Sequence, residues 1–207
     1  MLAKNLLPPA PGDLDWVRFR ALADLCRELN LEALSWDAAR AVHDLVLESR
    51  PKACLEIGLG QGASTLAILQ ALDSHGEGHL ISIDRNPEPA GMERVRHSGL
   101  RSRLDFRPRP SYLALPALVE EGARFQLAFI DGRHLFDYLL VDLFFTDLLL
   151  DPQGLVVLDD VDRPELERAA RFFETNRGFT RLRGFPERLA VLRKESEDSR
   201  AHEHAPF

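Results

Sequence analysis

Acidic side chains recur at the ends of apolar runs in this sequence of 207 residues. Glu56 and Asp84 each lie at the end of such a run, as do Asp131 and the adjacent pair Asp159 and Asp160. If the runs are parallel strands, their carboxyl ends meet at the edge of the sheet where ligands bind. Two like charges about 4 Å apart repel by roughly 4 kcal/mol at an effective dielectric constant of 20. The pattern therefore predicts a positive group at this edge: a cationic ligand, a metal ion, or both.

Three glycines follow Glu56 in the turn after the first apolar run. Gly58, Gly60 and Gly62 have the spacing G-x-G-x-G, whereas most dinucleotide-binding folds have G-x-G-x-x-G. Glycines at such a turn allow tight backbone and close approach by a ligand. A carboxylate beside this turn would repel a pyrophosphate but suits a sulfonium cation or an amino acid. Because Asp84 is placed to accept hydrogen bonds from ribose hydroxyls, the combination favours an adenosyl ligand without phosphates.

Strand-like apolar runs alternate with amphipathic segments through most of the chain. Five of these runs are each followed by a helical pattern, at residues 53–58, 79–84, 103–109, 125–131 and 154–160. Two more strands are predicted at 179–185 and 187–194, and their short connection requires one to run antiparallel to the other. The predicted fold is α/β: a Rossmann-like, doubly wound, mostly parallel seven-stranded sheet with one antiparallel strand near the C-terminus and helices on both faces.

The chain divides into three predicted segments. Residues 1–34 form an N-terminal arm and helix that contribute either to the acceptor pocket or to a dimer. Residues 35–194 form the α/β domain, with Ser35 or Asp37 as the cap of its first helix. Residues 195–207 have no apolar period and are predicted to be a disordered tail.

Composition restricts the possible partners. The formal net charge is −7, and basic residues are not concentrated in one segment, which argues against a nucleic-acid binder. Two cysteines without a C-x-x-C pair fit a reducing cytoplasm. The apolar run at the start is too short for a signal peptide or a membrane span. We therefore expect a cytoplasmic protein with no nucleic-acid or membrane partner.

Four segments resemble the class I S-adenosylmethionine-dependent methyltransferases: LEIGLGQGAS, ISIDRNP, LAFIDGRH and GLVVLDDV. Within that class the chain resembles the metal-dependent O-methyltransferases, both the catechol type and the macrolide and aminocoumarin sugar type, over roughly residues 35–193. The resemblance implies that Glu56 and the three glycines surround the methionine part of S-adenosylmethionine and that Ser64 contacts its carboxylate. It also implies that Asp84 binds the ribose and Ser111 the adenine, although Ser111 is equally suited to cap the helix that follows.

The same resemblance implies a metal site and a catalytic base. Asp131, Asp159 and Asp160 match the metal ligands of these families, and Asp131 also counts among the residues around the cofactor. Three carboxylates with water form an oxygen-rich site suited to Mg²⁺ or Mn²⁺, and such an ion lowers the pKa of a bound hydroxyl. His134 has the D-x-x-H spacing of the sugar methyltransferases, in which it acts as the base; otherwise it caps or packs against the next helix.

The predicted function is S-adenosylmethionine-dependent O-methylation of a small-molecule hydroxyl, assisted by a divalent metal. A non-catalytic S-adenosylmethionine-binding module is the first alternative, but it would not need the set of three aspartates and a histidine. An NAD-dependent oxidoreductase is the second, and the glycine spacing and Glu56 both argue against it. Arg133 either faces solvent or binds an acidic group of the acceptor. The Phe144–Phe145 pair belongs either to the core or to a homodimer face.

Overall fold

The computed structural model describes residues 34–198, 200, 203 and 205–207. All of the predicted N-terminal segment except Leu34 lies outside these residues. The first described helix, α1, spans Trp36–Ser49. Ser35 caps it, because its hydroxyl accepts a hydrogen bond from the backbone N–H of Ala38 at 3.3 Å, so the first of the two predicted caps is confirmed.

Strands and helices then alternate as the sequence predicts. They are β1 (Ala53–Ile57), α2 (Ala63–His75), β2 (His79–Ile83), α3 (Pro89–His97), β3 (Leu104–Arg107), α4 (Ser111–Glu120), β4 (Phe125–Ile130), α5 (Phe136–Leu149), β5 (Leu150–Leu158), α6 (Pro164–Asn176), β6 (Phe179–Leu182) and β7 (Ala190–Lys194). A short 3₁₀ helix, Arg101–Arg103, precedes β3. β5 begins four residues earlier than predicted, because Leu150 pairs with Phe125 before a register shift in the β4–β5 ladder.

The strands form one seven-stranded sheet in the order β3-β2-β1-β4-β5-β7-β6. The pairs β1–β2, β1–β4, β2–β3 and β4–β5 are parallel. β7 runs antiparallel to both of its neighbours, β5 and β6. The predicted mostly parallel sheet with a single antiparallel strand near the C-terminus is therefore confirmed.

Both faces of the sheet are covered by helices. Helices α1 and α2 pack on one face, where Val42 and Ile68 meet strand residues such as Phe129. Helices α4, α5 and α6 cover the other face, where Leu115 and Leu143 belong to a second buried cluster. Each fully buried leucine or isoleucine stabilises the fold by about 1.5–3 kcal/mol relative to an exposed one. Since neither face is open, a ligand can reach the sheet only at its edges and strand ends.

The described residues near the C-terminus contact α6. The side chain of Asn176 accepts a hydrogen bond from the Ala205 N–H at 2.6 Å and donates one to the Ala205 carbonyl at 3.1 Å. The Phe207 ring lies edge-on to Phe172, with 4.8 Å between centroids. These contacts involve part of the segment that the sequence predicts to be disordered. No helix within the described ranges is both long and apolar enough to cross a membrane.

Candidate active site

A cavity of about 900 Å³ opens at the carboxyl ends of the strands, a volume typical of sites for small molecules. The predicted site residues that line it are Gly58, Gly60, Ser64, Asp84, Ser111, Asp131, His134 and Asp160. The glycine turn after β1 therefore shares one cavity with the acidic ends of β2, β4 and β5. Glu56, Gly62 and Asp159 do not line this cavity, and their positions are described below.

The glycine turn lies directly against the end of β4. Gly58 has φ of +95°, and a Cβ atom there would lie 2.0 Å from the backbone oxygen of Asp131. The Asp131 N–H donates a hydrogen bond to the Ile57 carbonyl at 2.8 Å, which ties the two strand ends together. Only glycine combines this left-handed backbone with such a close approach. Gly62, with φ of +84°, forms the start of α2 in the same left-handed region.

Asp84 supports the turn from β2. Its Oδ2 accepts hydrogen bonds from the N–H groups of Leu59 at 2.9 Å and Gly60 at 3.0 Å. Its Oδ1 accepts from the Asn86 N–H at 2.8 Å. A carboxylate has about four acceptor positions, so these three bonds leave room for one more donor from the cavity. Asp84 therefore holds the turn in place and can still accept a ligand hydroxyl.

Glu56 is buried beneath the turn. Its carboxylate accepts hydrogen bonds from the hydroxyls of Ser64 at 2.7 Å, Thr65 at 2.8 Å and Ser82 at 2.5 Å. Burial raises the pKa of Glu56 to about 7, although these hydrogen bonds oppose the shift. The carboxylate thus fixes the first turn of α2, and Ser64 connects it to the cavity. Direct contact between Glu56 and a cofactor stays a prediction.

Ser111 lies at the cavity wall as the first residue of α4. The cap position of that helix belongs to Pro110, so the alternative role of Ser111 as N-cap is wrong. Ser111 instead lies close to the buried carboxyl of Asp142 in α5. Burial raises the pKa of Asp142 to about 6, and the neighbouring Ser111 side chain opposes that shift. Asp142 could not be singled out from the sequence, because nothing distinguishes it from the other acids of the same helix.

Asp131, His134 and Asp160 converge on the cavity, with ligand atoms within 4.8 Å of one another. The Nδ1 atom of His134 lies 3.2 Å from Oδ2 of Asp160, and its Nε2 atom lies 3.9 Å from Oδ1 of Asp131. When Nδ1 carries the imidazole proton and faces the Asp160 carboxylate, Nε2 is the basic nitrogen. Asp160 has φ of +57°, a left-handed conformation that is uncommon outside glycine and often marks functional sites.

Arg188 holds the acidic pair at the end of β5. Its Nε and Nη2 atoms donate hydrogen bonds to the two carboxylate oxygens of Asp159, each at 2.6 Å. Nη2 also donates to Oδ1 of Asp160 at 2.7 Å. The backbone carbonyl of Arg188 accepts from the Val161 N–H at 2.9 Å. The turn before β7 therefore places a fixed cation on the two aspartates, and the Asp159 side chain is buried beneath it.

This geometry tests the predicted metal site. Both oxygens of Asp159 and Oδ1 of Asp160 bind Arg188, and Oδ2 of Asp160 lies 3.2 Å from Nη2 of Arg163. Burial raises the pKa of Asp131 well above its usual range, and the charges of the other two aspartates raise it further. The three aspartates do not form an open ligand set, since arginines already bind two of them. The geometry therefore argues against Asp159 as a ligand, and the metal ion stays a prediction.

A model of the family described as "Methyltransferase domain" matches residues 55–161. That segment runs from β1 to the end of β5 and contains the glycine turn, Asp84 and the acids at the ends of β4 and β5. The chain belongs to this family.

Curated relatives of this methyltransferase domain include two groups of O-methyltransferases. Caffeoyl-CoA O-methyltransferase 1 of Eucalyptus globulus is 29% identical over 105 residues, which cover 50% of this chain and 43% of that protein. A catechol O-methyltransferase of Niastella koreensis is 36% identical over 84 residues, 39% of this chain and 37% of that protein. The chain thus matches less than half the length of either relative.

A solved structure has the same fold as this methyltransferase domain. It is the O-methyltransferase TomG of Streptomyces achromogenes in complex with SAM, with a TM-score of 0.68 and 22% identity. The superposition covers 86% of this chain and 89% of TomG. It establishes the Rossmann-like architecture, and the activity has to be argued from the site itself.

Two tyrosines and an arginine complete the wall of the methyltransferase cavity. The Arg133 guanidinium lies 5.0 Å from the centroid of the Tyr138 ring and donates a hydrogen bond to its hydroxyl at 3.3 Å. The Tyr112 and Tyr138 rings meet edge-on, with centroids 6.2 Å apart. Arg133 was left open by the sequence and the tyrosines were not predicted, although both tyrosines occur in the first turns of helices that directly follow strands, Tyr112 after β3 and Tyr138 after β4.

Proposed function

We propose that this methyltransferase domain transfers a methyl group from S-adenosylmethionine to a hydroxyl oxygen of a small-molecule acceptor. The observation that carries the proposal is the single cavity in which the glycine turn and Asp84 lie beside the pair formed by His134 and Asp160. The side of the cavity with the glycine turn and Asp84 suits an adenosyl ligand, and the side with His134 carries a base. The names of the curated relatives, which act on caffeoyl-CoA and catechol, support a hydroxyl as the acceptor group.

The residues around the turn fit the cofactor. A Cβ atom at Gly60 would meet nothing within 4 Å, so the turn leaves backbone open to a ligand there, and Asp84 retains an acceptor position suited to a ribose hydroxyl. Gly58, Gly60, Gly62 and Ser64 are proposed to surround the methionine part, with Glu56 acting from beneath the turn. Ser111, at the wall of the same cavity, is proposed to lie against the adenine.

When bound, S-adenosylmethionine supplies a methyl group on a positively charged sulfur, which leaves with the electron pair of the broken C–S bond. The chain has to provide alignment and removal of the acceptor proton. His134 is proposed to take that proton on Nε2. Asp160 would hold the other ring nitrogen and stabilise the imidazolium that forms, as the carboxylate of a catalytic triad does.

Binding experiments test the first half of this proposal. Calorimetry should show that S-adenosylmethionine and S-adenosylhomocysteine bind, and that NAD binds far more weakly. Tighter binding of NAD would favour the oxidoreductase alternative. The second half is tested by formation of S-adenosylhomocysteine when catechol or caffeoyl-CoA is added. Cofactor binding without turnover on a broad panel of hydroxyl compounds would favour the non-catalytic alternative.

We also propose that the protein works in the cytoplasm as a homodimer. The absence of paired cysteine motifs in the sequence supports the location. Val141, Phe144 and Leu148 support the dimer, because they share one face of α5 and are each about 40% exposed. Light scattering coupled to gel filtration should give a dimer mass, and Phe144→Asp should convert it to a monomer. A monomeric wild-type protein at all concentrations would contradict this.

A further inference from the structure

Arg188 lies where the charges of the site need a cation. Three aspartates meet at the ends of β4 and β5, and Arg188 binds three of their carboxylate oxygens: both oxygens of Asp159 and one of Asp160. A bidentate arginine–carboxylate pair has fixed geometry as well as a strong interaction. The arginine is therefore a built part of the site.

The guanidinium also reaches the cavity. Arg188 lines it and is 28% exposed, whereas the Asp159 carboxylate beneath it is fully buried. An arginine has five N–H donors, and the three hydrogen bonds to the aspartates use those of Nε and Nη2. Among the described residues, no hydrogen bond of Nη1 is found. Two donors thus remain for an oxygen atom that enters the cavity.

We infer that Arg188 replaces the divalent ion in this chain. Its guanidinium is the fixed cation beside which the acceptor oxygen becomes negative. Methyl transfer therefore does not require a metal. The inference rests on the proposed function. A negative oxygen between Asp131 and Asp160 would be unfavourable without a neighbouring positive charge. A preorganised guanidinium stabilises such a charge without rearrangement during the reaction.

The reaction balances without a further reactant. The acceptor hydroxyl gives its proton to His134, and its oxygen forms a bond to the methyl carbon. The C–S bond breaks and its electron pair returns to sulfur, which becomes neutral. Arg188 neither gains nor loses a proton; its two remaining N–H groups face the oxygen while that atom carries charge.

Metal binding tests the inference without any acceptor. Mn²⁺ is titrated into the protein with S-adenosylhomocysteine present, and free Mn²⁺ is measured by electron paramagnetic resonance, with thermal melting as a second readout. We expect neither a bound ion nor a melting shift in the wild type. Arg188→Ala, which frees both oxygens of Asp159 and Oδ1 of Asp160, should bind Mn²⁺ at least about tenfold more tightly, a difference of about 1.4 kcal/mol, and its melting temperature should rise with the ion.

Arg181→Ala is the matched control. Arg181 also binds two carboxylates, those of Glu167 and Glu174, and its side chain is 29% exposed, but it lies in β6 and does not line the cavity. The Arg181→Ala variant should bind no more Mn²⁺ than the wild type. If Arg188→Ala does not fold, Arg188→Gln removes the charge and keeps an amide donor for Asp159. Stoichiometric Mn²⁺ binding by the wild type, or no gain in either Arg188 variant, would overturn the inference.

Activity provides the second arm, measured as S-adenosylhomocysteine formed from catechol or caffeoyl-CoA. The wild type should keep its rate in EDTA, whereas Arg188→Ala should be slow and regain activity with Mg²⁺ or Mn²⁺. A purely structural arginine would not change the metal requirement. If EDTA abolishes wild-type turnover, Arg188 does not replace the ion. If neither acceptor is methylated and no cofactor binds, the proposed function fails, while the Mn²⁺ titration still decides on Arg188.

Discussion

Glu56 and Asp159 are both buried carboxylates at strand ends, and they are stabilised in different ways. Glu56 is held by three neutral hydroxyls, two of which come from the helix that follows within ten residues. Asp159 is held by the charged guanidinium of Arg188, which lies 29 residues away in sequence. Burial raises the pKa of both carboxyls; the hydroxyl donors oppose this shift at Glu56, and the bidentate guanidinium opposes it at Asp159. The Glu56 carboxylate is thus held mainly by the helix that follows its own strand, whereas the Asp159 carboxylate is held by an arginine from the turn before β7.

The largest effect is expected on the acidic side, from loss of the proposed base. His134→Ala should lower kcat by about 10²–10⁴-fold, the usual range for a general base. Affinity for S-adenosylmethionine should hardly change, because His134 acts on the acceptor. Steady-state kinetics and calorimetry on the same variant measure the two quantities. Full turnover per folded molecule, together with a lower melting temperature, would show that His134 only packs against α5.

The contact between the glycine turn and the end of β4 can be broken at Gly58. Gly58→Ala places a methyl group 2.0 Å from the Asp131 carbonyl oxygen, so the free energy of unfolding should fall by more than about 4 kcal/mol. Gly60→Ala is the matched control, since it also has positive φ but no atom within 4 Å of the added Cβ; roughly 1–2 kcal/mol is expected there. Urea denaturation measures the free energy of unfolding of both variants. Equal losses in the two variants would mean that the ends of β1 and β4 separate easily.

The pH dependence of the free energy of unfolding tests the raised pKa of the buried Glu56 carboxyl. The pKa of Glu56 is about 7 in the fold and 4.5 ordinarily, so the folded state binds the proton more tightly. The protonated Glu56 carboxyl therefore contributes fully to the free energy of unfolding below pH 4.5, and this contribution is lost as the pH rises to about 7. The difference between the two pKa values corresponds to about 3 kcal/mol of unfolding free energy. Glu56→Gln should remove this fall from the unfolding free energy, and Glu48→Gln, an exposed control, should not. Parallel profiles for the wild type and Glu56→Gln would contradict the raised pKa.

The smallest expected effect concerns the ribose. Asp84→Asn keeps an oxygen for the N–H groups of Leu59 and Gly60 and loses the negative charge. S-adenosylmethionine should bind about 1–3 kcal/mol more weakly, as for the loss of a hydrogen bond to a charged group. Asp73→Asn, in the exposed part of α2, is the control. Unchanged affinity, measured by calorimetry, would leave Asp84 with its role in the turn alone.

The same contrast explains how far sequence reasoning reached. Strands that are covered on both faces must be continuous apolar runs, so the order of elements and the sheet type could be predicted from the chain. The glycine turn was equally accessible, because Glu56 and the three glycines lie in one continuous segment with a regular spacing. Arg188 could not be found in this way, since its contact with Asp160 spans 28 residues and depends on the position of β7 in the sheet. Its only signal was a charge, next to Glu187, just before the apolar residues of the last strand.

The position of β7 also affects the order in which the molecule can assemble during translation. β7 is last in sequence but lies between β5 and β6 in the sheet, and β6 pairs only with β7. A ribosome delivers the chain from its N-terminus, so β6 emerges before the one strand that can accept it. Asp159 and Asp160 likewise emerge well before Arg188. The nascent chain therefore carries Asp159 without its arginine, and an unpaired strand, until the last residues of the sheet have been synthesised.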